Sequence, residues 1–269
     1  MTIIAATAAP DGLVLAADGR TTLVSGRRHR IASDHTHKVF APFPGIGVAT
    51  HGVALLLDQT IAGHMEKFAA QPVQGTVTIE KVCQDLSEYF TKLLDAQAKE
   101  VKRDPSPGAL GFVVAGYDAD GVGLIFDVLL PPQKDGPGPI LRHHDPSTRL
   151  PGHLFRGQTQ HARRLFEGYD VDGLKRSEVT LDANVAEELR KLGYHMNAPL
   201  SLQEAVDLAV FIVRLTVDMD RLSDGTFAEP EGIPTCGGAL QVLLITSKGF
   251  NWILQPQLRV GLAGAAEAS

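Results

Sequence analysis

Residues 2–22 read TIIAATAAPDGLVLAADGRTT. Two short apolar runs, 2–9 and 13–18, flank Pro10-Asp11-Gly12, a residue set that favours a tight turn. The pattern predicts a β-hairpin. Its apolar character is nearly continuous, so both faces of the strands are expected to be covered. The ends carry a less ordinary message. Thr2 opens the first strand and Asp18 closes the second. Each arm rises roughly 3.3 Å per residue, so the hairpin returns Asp18 to the side of Thr2.

Two further strands are expected at KVFAPF (38–43) and GIGVATHG (45–52). They put Lys38 and Gly52 at strand ends as well. The polar, basic segment 19–36 reads as a loop or hairpin, with RRHR (27–30) as a solvated tip. From Val53 to about Ala70 the period becomes helical, with Leu57, Ile61, Met65 and Phe68 in one stripe. A second helix starts near Ile79, with Val82, Leu86, Phe90, Leu93 and Leu94 on one face. RDPSPG (103–108) ends it. ALGFVVAG (109–116) and GVGLIFDVLL (121–130) form a hairpin pattern, and the Pro-, Gly- and His-bearing 131–152 reads as a loop.

Helices are expected at 157–170, at 183–193 and most strongly at 202–222. There Ser201 and Glu204 form a capping box, and Ala205, Leu208, Ile212, Leu215 and Met219 form the stripe. Strands at 239–246 and 250–255 follow a loop at 223–237. The tail 256–269 is expected to be disordered or an extension. Runs of strands and runs of helices, rather than strict alternation, point to an α+β protein with antiparallel sheets. Nothing marks a linker, so residues 1–255 are expected to form one domain.

Composition narrows the function classes. A net charge of −6 and a pI near 5.9 argue against a general nucleic-acid binder. No run approaches the roughly 20 apolar residues of a membrane helix. The N-terminus lacks the basic and apolar regions of a signal peptide, so the cytoplasm is the expected compartment. Cys83 and Cys236 are expected to be reduced thiols. The pairs His35/His37 and His143/His144 lack the further ligands that a metal site requires. No cofactor is implied.

The chemistry suggested by Thr2 depends on removal of Met1. A freed threonine carries an α-amine beside its own hydroxyl, so one residue supplies both nucleophile and base. Such a site also needs a cation, a carboxylate to hold it and an N–H aimed at the oxyanion. Lys38, Asp18 and Gly52 are the candidates for these three roles.

With these residues in place, the N-terminal segment resembles the start of proteasome β-type subunits and their bacterial relatives, within the N-terminal-nucleophile hydrolases. The shared features are a leading Thr, a strand ending in Asp-x-Arg-Thr, a Lys before the next strand and a turn here written VATHG. VAGYDADGVGLIFDV, RGQTQHARRLFEGYD and GGALQVLLITSKGF resemble later family segments in the family order. The resemblance covers roughly residues 2–255.

It implies a four-layer αββα sandwich of two antiparallel sheets flanked by helices. It also implies a peptidase forming an acyl-enzyme through Thr2. Lys38 would lower the pKa of the Thr2 groups, Asp18 would hold Lys38, Gly52 would bind the oxyanion and Asp220 would be the supporting carboxylate, with Asp218 next. Thr22 would contact the substrate backbone, and Thr50 and Ala54 would sit near the specificity pocket. The expected partners are a peptide or unfolded protein substrate and further copies of the chain in a ring or stacked assembly. An ATPase partner is not identified.

The sequence departs from the family in three places. Arg156 stands where the family has a helper serine. The family's late Asp-x-x-Ser-Gly-Gly is split here between Asp220–Ser223 and Cys236–Gly238. The segment 170–200 is expanded. Two alternatives follow: an amidase acting on a small molecule, whose Arg156 and inserted loops close the cleft around an anion, and an assembly subunit without catalysis.

Overall fold

The strong β-formers of the first hairpin pair as the alternation requires. In the computed structural model the first strand, β1 (Ile3–Ala9), is antiparallel to β2 (Gly12–Ala17), with Ile4 opposite Ala17 and Ala9 opposite Gly12. Both strands are buried on both faces over most of their length. The structure describes residues 2–25, 28–72, 76–103, 106, 108–132, 138–146, 152–196, 199–223, 233–255 and 257. Met1, the inserted loop 224–232 and all of the 256–269 tail except Gln257 lie outside them.

The basic segment that follows is a hairpin, β3 (Thr21–Ser25) and β4 (Arg28–Ser33). Next come β5 (Val39–Phe43) and β6 (Ile46–Gly52), then a minimal hairpin of β7 (Leu55–Leu56) and β8 (Gln59–Thr60). Helix α1 (Ile61–Ala69) therefore starts at Ile61, not at Val53. The reason is local. Leu57 and Asp58 take positive φ in the hairpin turn, and Thr60 caps the helix by accepting from Gly63 N.

Helix α2 (Ile79–Val101), strands β9 (Leu110–Tyr117) and β10 (Gly123–Leu130) fall where periodicity predicts. Besides β7 and β8, which replace the expected start of a helix, two further strands were not anticipated. One is β11 (Ile140–His144), inside the expected loop, and the other is β12 (His153–Gly157), which ends on the first residue of the expected helix. Both are short and recruited by neighbours: β11 pairs with β10 and β12 with β1. Helix α3 (Gln160–Phe166) follows, then α4 (Val171–Arg176), α5 (Ala183–Arg190), α6 (Leu202–Leu222), β13 (Gln241–Thr246) and β14 (Gly249–Leu254).

The strands form two five-stranded sheets, β12-β1-β2-β13-β14 and β11-β10-β9-β6-β5. One core lies between the sheets, where Leu13, Leu15, Val113, Ile125 and Leu243 meet. A second joins the β9–β6–β10 sheet to α1 and α2 through Phe68, Leu86, Phe90 and Phe112. The rings of Phe90 and Phe112 are 4.6 Å apart. A third sets α6 on β1 and β2.

The Ser201–Glu204 capping box is present. The buried stripe of α6 is rotated from the predicted one. Ala205, Val206, Ala209, Ile212, Val213 and Thr216 face the sheet, while Met219 is 38% exposed. Small residues decide this, since Ala205 and Ala209 let the helix approach until Thr7 Oγ1 donates to Ala205 O at 2.7 Å.

Candidate active site

Thr2 directly precedes β1 and is 6% exposed. Its carbonyl accepts from Gln158 N at 2.7 Å. This contact depends on Gly157, which has φ +90; a Cβ there would lie 1.8 Å from Thr2 O. Asp18, 1% exposed, follows β2. Its Oδ1 accepts from Ile3 N at 3.1 Å and from Lys38 Nζ at 2.8 Å. Its Oδ2 accepts from Arg20 N at 3.2 Å and Gly237 N at 3.0 Å. One carboxylate thus joins the backbone beside Thr2, the Lys38 ammonium and the turn before β13.

Lys38 directly precedes β5 and is 5% exposed. Gln241, reaching from the other sheet, sets its backbone: Oε1 accepts from Lys38 N at 2.9 Å and Val39 N at 3.1 Å, while Nε2 donates to Thr36 O at 2.7 Å. Thr50 N donates to Lys38 O at 2.9 Å, so the end of β6 lies beside the start of β5. Gly52 ends β6, with φ +98, and a Cβ there would lie 2.1 Å from Ala109 O. Only glycine fits.

Thr22 lies on β3 and its Oγ1 donates to Thr235 O at 3.4 Å. Thr50 is buried and its Oγ1 donates to Gly111 O at 3.3 Å. It shares the parity of Ile46 and Val48, whose side chains join the core under α1 and α2. Ala54 is half-buried between β6 and β7, and its carbonyl accepts from Ile61 N at 3.3 Å.

Asp220, in the last turn of α6, turns its Oδ2 to three donors: Thr235 N at 3.0 Å, Thr235 Oγ1 at 2.9 Å and Cys236 N at 2.9 Å. Asp218 is exposed and pairs with Arg221 at 3.3 Å. The split motif is therefore rejoined in space, with Asp220 holding the Thr235–Cys236 turn.

Several contributors were not singled out from the sequence. Gln158 Nε2 donates to Thr235 Oγ1 at 3.1 Å, linking the Thr2 carbonyl contact to Asp220. Arg20 grips Asp34 at 2.6 and 3.1 Å and donates to Pro234 O at 3.1 Å. A Gln and a Thr in loops carry no periodic signal, and neither side chain announces its long-range partner. His51, beside Gly52, was also passed over.

Burial dominates the electrostatics around the Lys38–Asp18 pair. Burial pushes the Cys236 thiol well up, with Asp18 and Asp220 adding to the shift and Lys38 opposing it. Both cysteines are free and buried. Arg156 is half-buried and already paired: its Nε and Nη2 bind Asp127 Oδ2 at 2.7 and 2.6 Å. Among the described residues no group of three or more His, Cys, Asp or Glu gathers to hold a metal. No described helix is long and apolar enough to cross a membrane.

Two antiparallel sheets with helices packed on them, and a buried Lys–Asp pair at one sheet end, define the architecture in general terms. No family model matches the chain, and no curated protein matches it. Among solved structures it is similar to the Anbu (Gly-1) mutant from Hyphomicrobium sp. strain MC1, with a TM-score of 0.57 and 11% sequence identity. The match covers 94% of this chain and 88% of that one, so the likeness of fold extends over nearly the whole length of both.

Proposed function

We propose that this chain is an N-terminal threonine hydrolase, a proteasome-like peptidase whose nucleophile is Thr2 after loss of Met1. The fold likeness to Anbu supports the reading at the level of architecture. The observation that carries it is the buried Lys38–Asp18 contact of 2.8 Å, made by the same carboxylate oxygen that holds the amide next to Thr2. Lysine is almost never fully buried unless it is paired, and this pair lies beside Thr2.

In this mechanism the Thr2 α-amine takes the hydroxyl proton as Oγ attacks the peptide carbonyl. Lys38 favours the anionic oxygen, and Asp18 holds Lys38. The Gly52 N–H receives the negative oxygen of the tetrahedral intermediate. The amine then passes its proton to the leaving nitrogen, an ester remains on Thr2, and water releases the acid. Asp220 keeps the 235–237 turn in place against Asp18. Thr22 contacts the peptide backbone, and Thr50 and Ala54 line the pocket for the substrate side chain. Residues 1–255 act as one domain of four layers, αββα, and copies assemble into a ring or stack.

Intact mass combined with a covalent inhibitor directed at N-terminal threonine tests this. The expected result is a mature mass lacking Met1 and label on Thr2, absent from Thr2→Ala. A protein that lacks Met1 and takes no label ends the proposal. Retained Met1 points to the assembly-subunit reading. The amidase reading loses the part of its motive that rested on Arg156, because that guanidinium is held by Asp127.

A further inference from the structure

A polar cluster lies on the inner face behind Gly52, outside the chemistry described above. His51, Asp127 and Arg156 come from β6, β10 and β12, hence from both sheets. Asp127 is 0% exposed. Its Oδ2 takes two donors from Arg156, and Arg156 Nη1 donates to Phe155 O at 2.9 Å. The guanidinium is therefore fixed in plane and direction.

The register places these residues with respect to the site. Arg156 is opposite Ile4 and one residue before Gly157, which gives Thr2 O its room. On the other sheet Asp127 is opposite Val113 and His51 is opposite Gly111, so the two flank β9 from either side. The His51 ring fills the space over Gly111: a Cβ at residue 111 would sit 2.2 Å from Nε2. His51 Nε2 and Asp127 Oδ1 have no hydrogen-bond partner among the described residues. Burial keeps the imidazole neutral, with Arg156 reinforcing and Asp127 opposing. His143 also lies within electrostatic reach of the guanidinium and of Asp127.

A buried ion pair is weak as a stabiliser, since apolar residues of similar volume hold a core as well or better. This one spans the gap between the sheets at the site end. Arg156 lies two residues from Gln158, whose N–H holds the Thr2 carbonyl, and His51 adjoins Gly52. We infer that Arg156, Asp127 and His51 are positioning residues that set the separation between the Thr2-holding turn at Gly157–Gln158 and the oxyanion-side Gly52. The ion pair acts as a strut of fixed length between sheets. The ring locked over Gly111 carries the placement of that sheet to the 51–52 peptide. This rests on the proposed function of Thr2.

The test separates position from stability. The double variant Asp127→Leu/Arg156→Met removes both charges and puts apolar side chains in their place. Its thermal midpoint is expected to stay at or above the wild-type value, while the rate of covalent capture at Thr2 falls about tenfold or more, as misplacement of reacting groups predicts. Wild-type capture rate in the folded double variant overturns the inference and leaves the proposed function standing. If the double variant does not fold, His51→Leu decides: slower capture at unchanged thermal midpoint supports the role, and unchanged capture overturns it. A wild-type protein lacking Met1 that is not captured at all removes the functional reading, and this inference with it.

Discussion

Lys38 Nζ lies 2.8 Å from Asp18 Oδ1, and both side chains are buried. The carboxylate does more than neutralise the ammonium, because Ile3, Arg20 and Gly237 also direct backbone N–H groups at it. The two partners are therefore not equivalent. Lys38→Met leaves a carboxylate still bound by three N–H groups. Asp18→Ala leaves a buried ammonium without its carboxylate and three amides without an acceptor. Breaking a buried pair costs about 3–5 kcal/mol, and Asp18→Ala is expected to cost more than Lys38→Met. Urea unfolding of the two variants ranks them; the reverse order would contradict this account of the site.

Gly52 is expected to tolerate no side chain. At φ +98 an alanine Cβ would meet Ala109 O at 2.1 Å. Backbone strain of this kind costs about 1–3 kcal/mol, and the 51–52 peptide must shift to relieve it. Gly52→Ala should stay folded with a lowered thermal midpoint, yet lose covalent capture at Thr2. Normal capture in that variant would remove Gly52 from the oxyanion role.

The Asp220 carboxylate serves as a clamp with three donors on one oxygen. Replacing it with Ala leaves those donors without a partner, at about 1–3 kcal/mol for each buried group left unsatisfied. The loss should be local first. Amide hydrogen exchange at 235–237 is expected to accelerate in Asp220→Ala while the β1–β2 amides keep their protection. Uniform acceleration across the molecule would instead identify Asp220 as a global element.

His51 makes stability depend on pH. Burial lowers its pKa from the ordinary 6.5 to about 4. Above 6.5 the ring is neutral in folded and unfolded chains alike, and its contribution is complete. As pH falls from 6.5 toward 4 the unfolded chain binds a proton that the folded chain refuses, so stability is lost across that window. His51→Leu should flatten the decline in unfolding free energy between those pH values relative to wild type. A parallel decline in the two proteins would place the imidazole in a wetter setting than the structure shows.

Both thiols are expected to resist alkylation in the folded protein. Cys83 and Cys236 are buried, and burial raises the pKa of each. The thiolate is the reactive form. Iodoacetamide at mildly alkaline pH should modify neither until denaturant is added, and then both, as read by intact mass. Rapid modification of Cys236 in native protein would show that the 235–237 turn opens.

The first hairpin and the long helices were legible because their signals are local. Alternation, turn residues and the Ser201–Glu204 box act within a few positions. β11 and β12 were not, because each is short and becomes a strand only by adding to a sheet built elsewhere. The start of α1 was misplaced for a related reason. Apolar spacing ran on through Leu55–Leu57, while the positive φ values at Leu57 and Asp58 break the helix there.

From sequence alone, Thr2, Asp18, Lys38 and Gly52 could be assigned to strand ends, since strand period and turn position determine where a chain reverses. The hydrogen bonds between them required the fold. The closing of Asp18 on Lys38, the clamp from Asp220 onto residues fifteen positions on and the Arg156–Asp127 strut across the sheets all join groups distant along the chain. Such contacts depend on how two sheets stack and in what register. That is decided by packing of the whole core, and no local pattern encodes it.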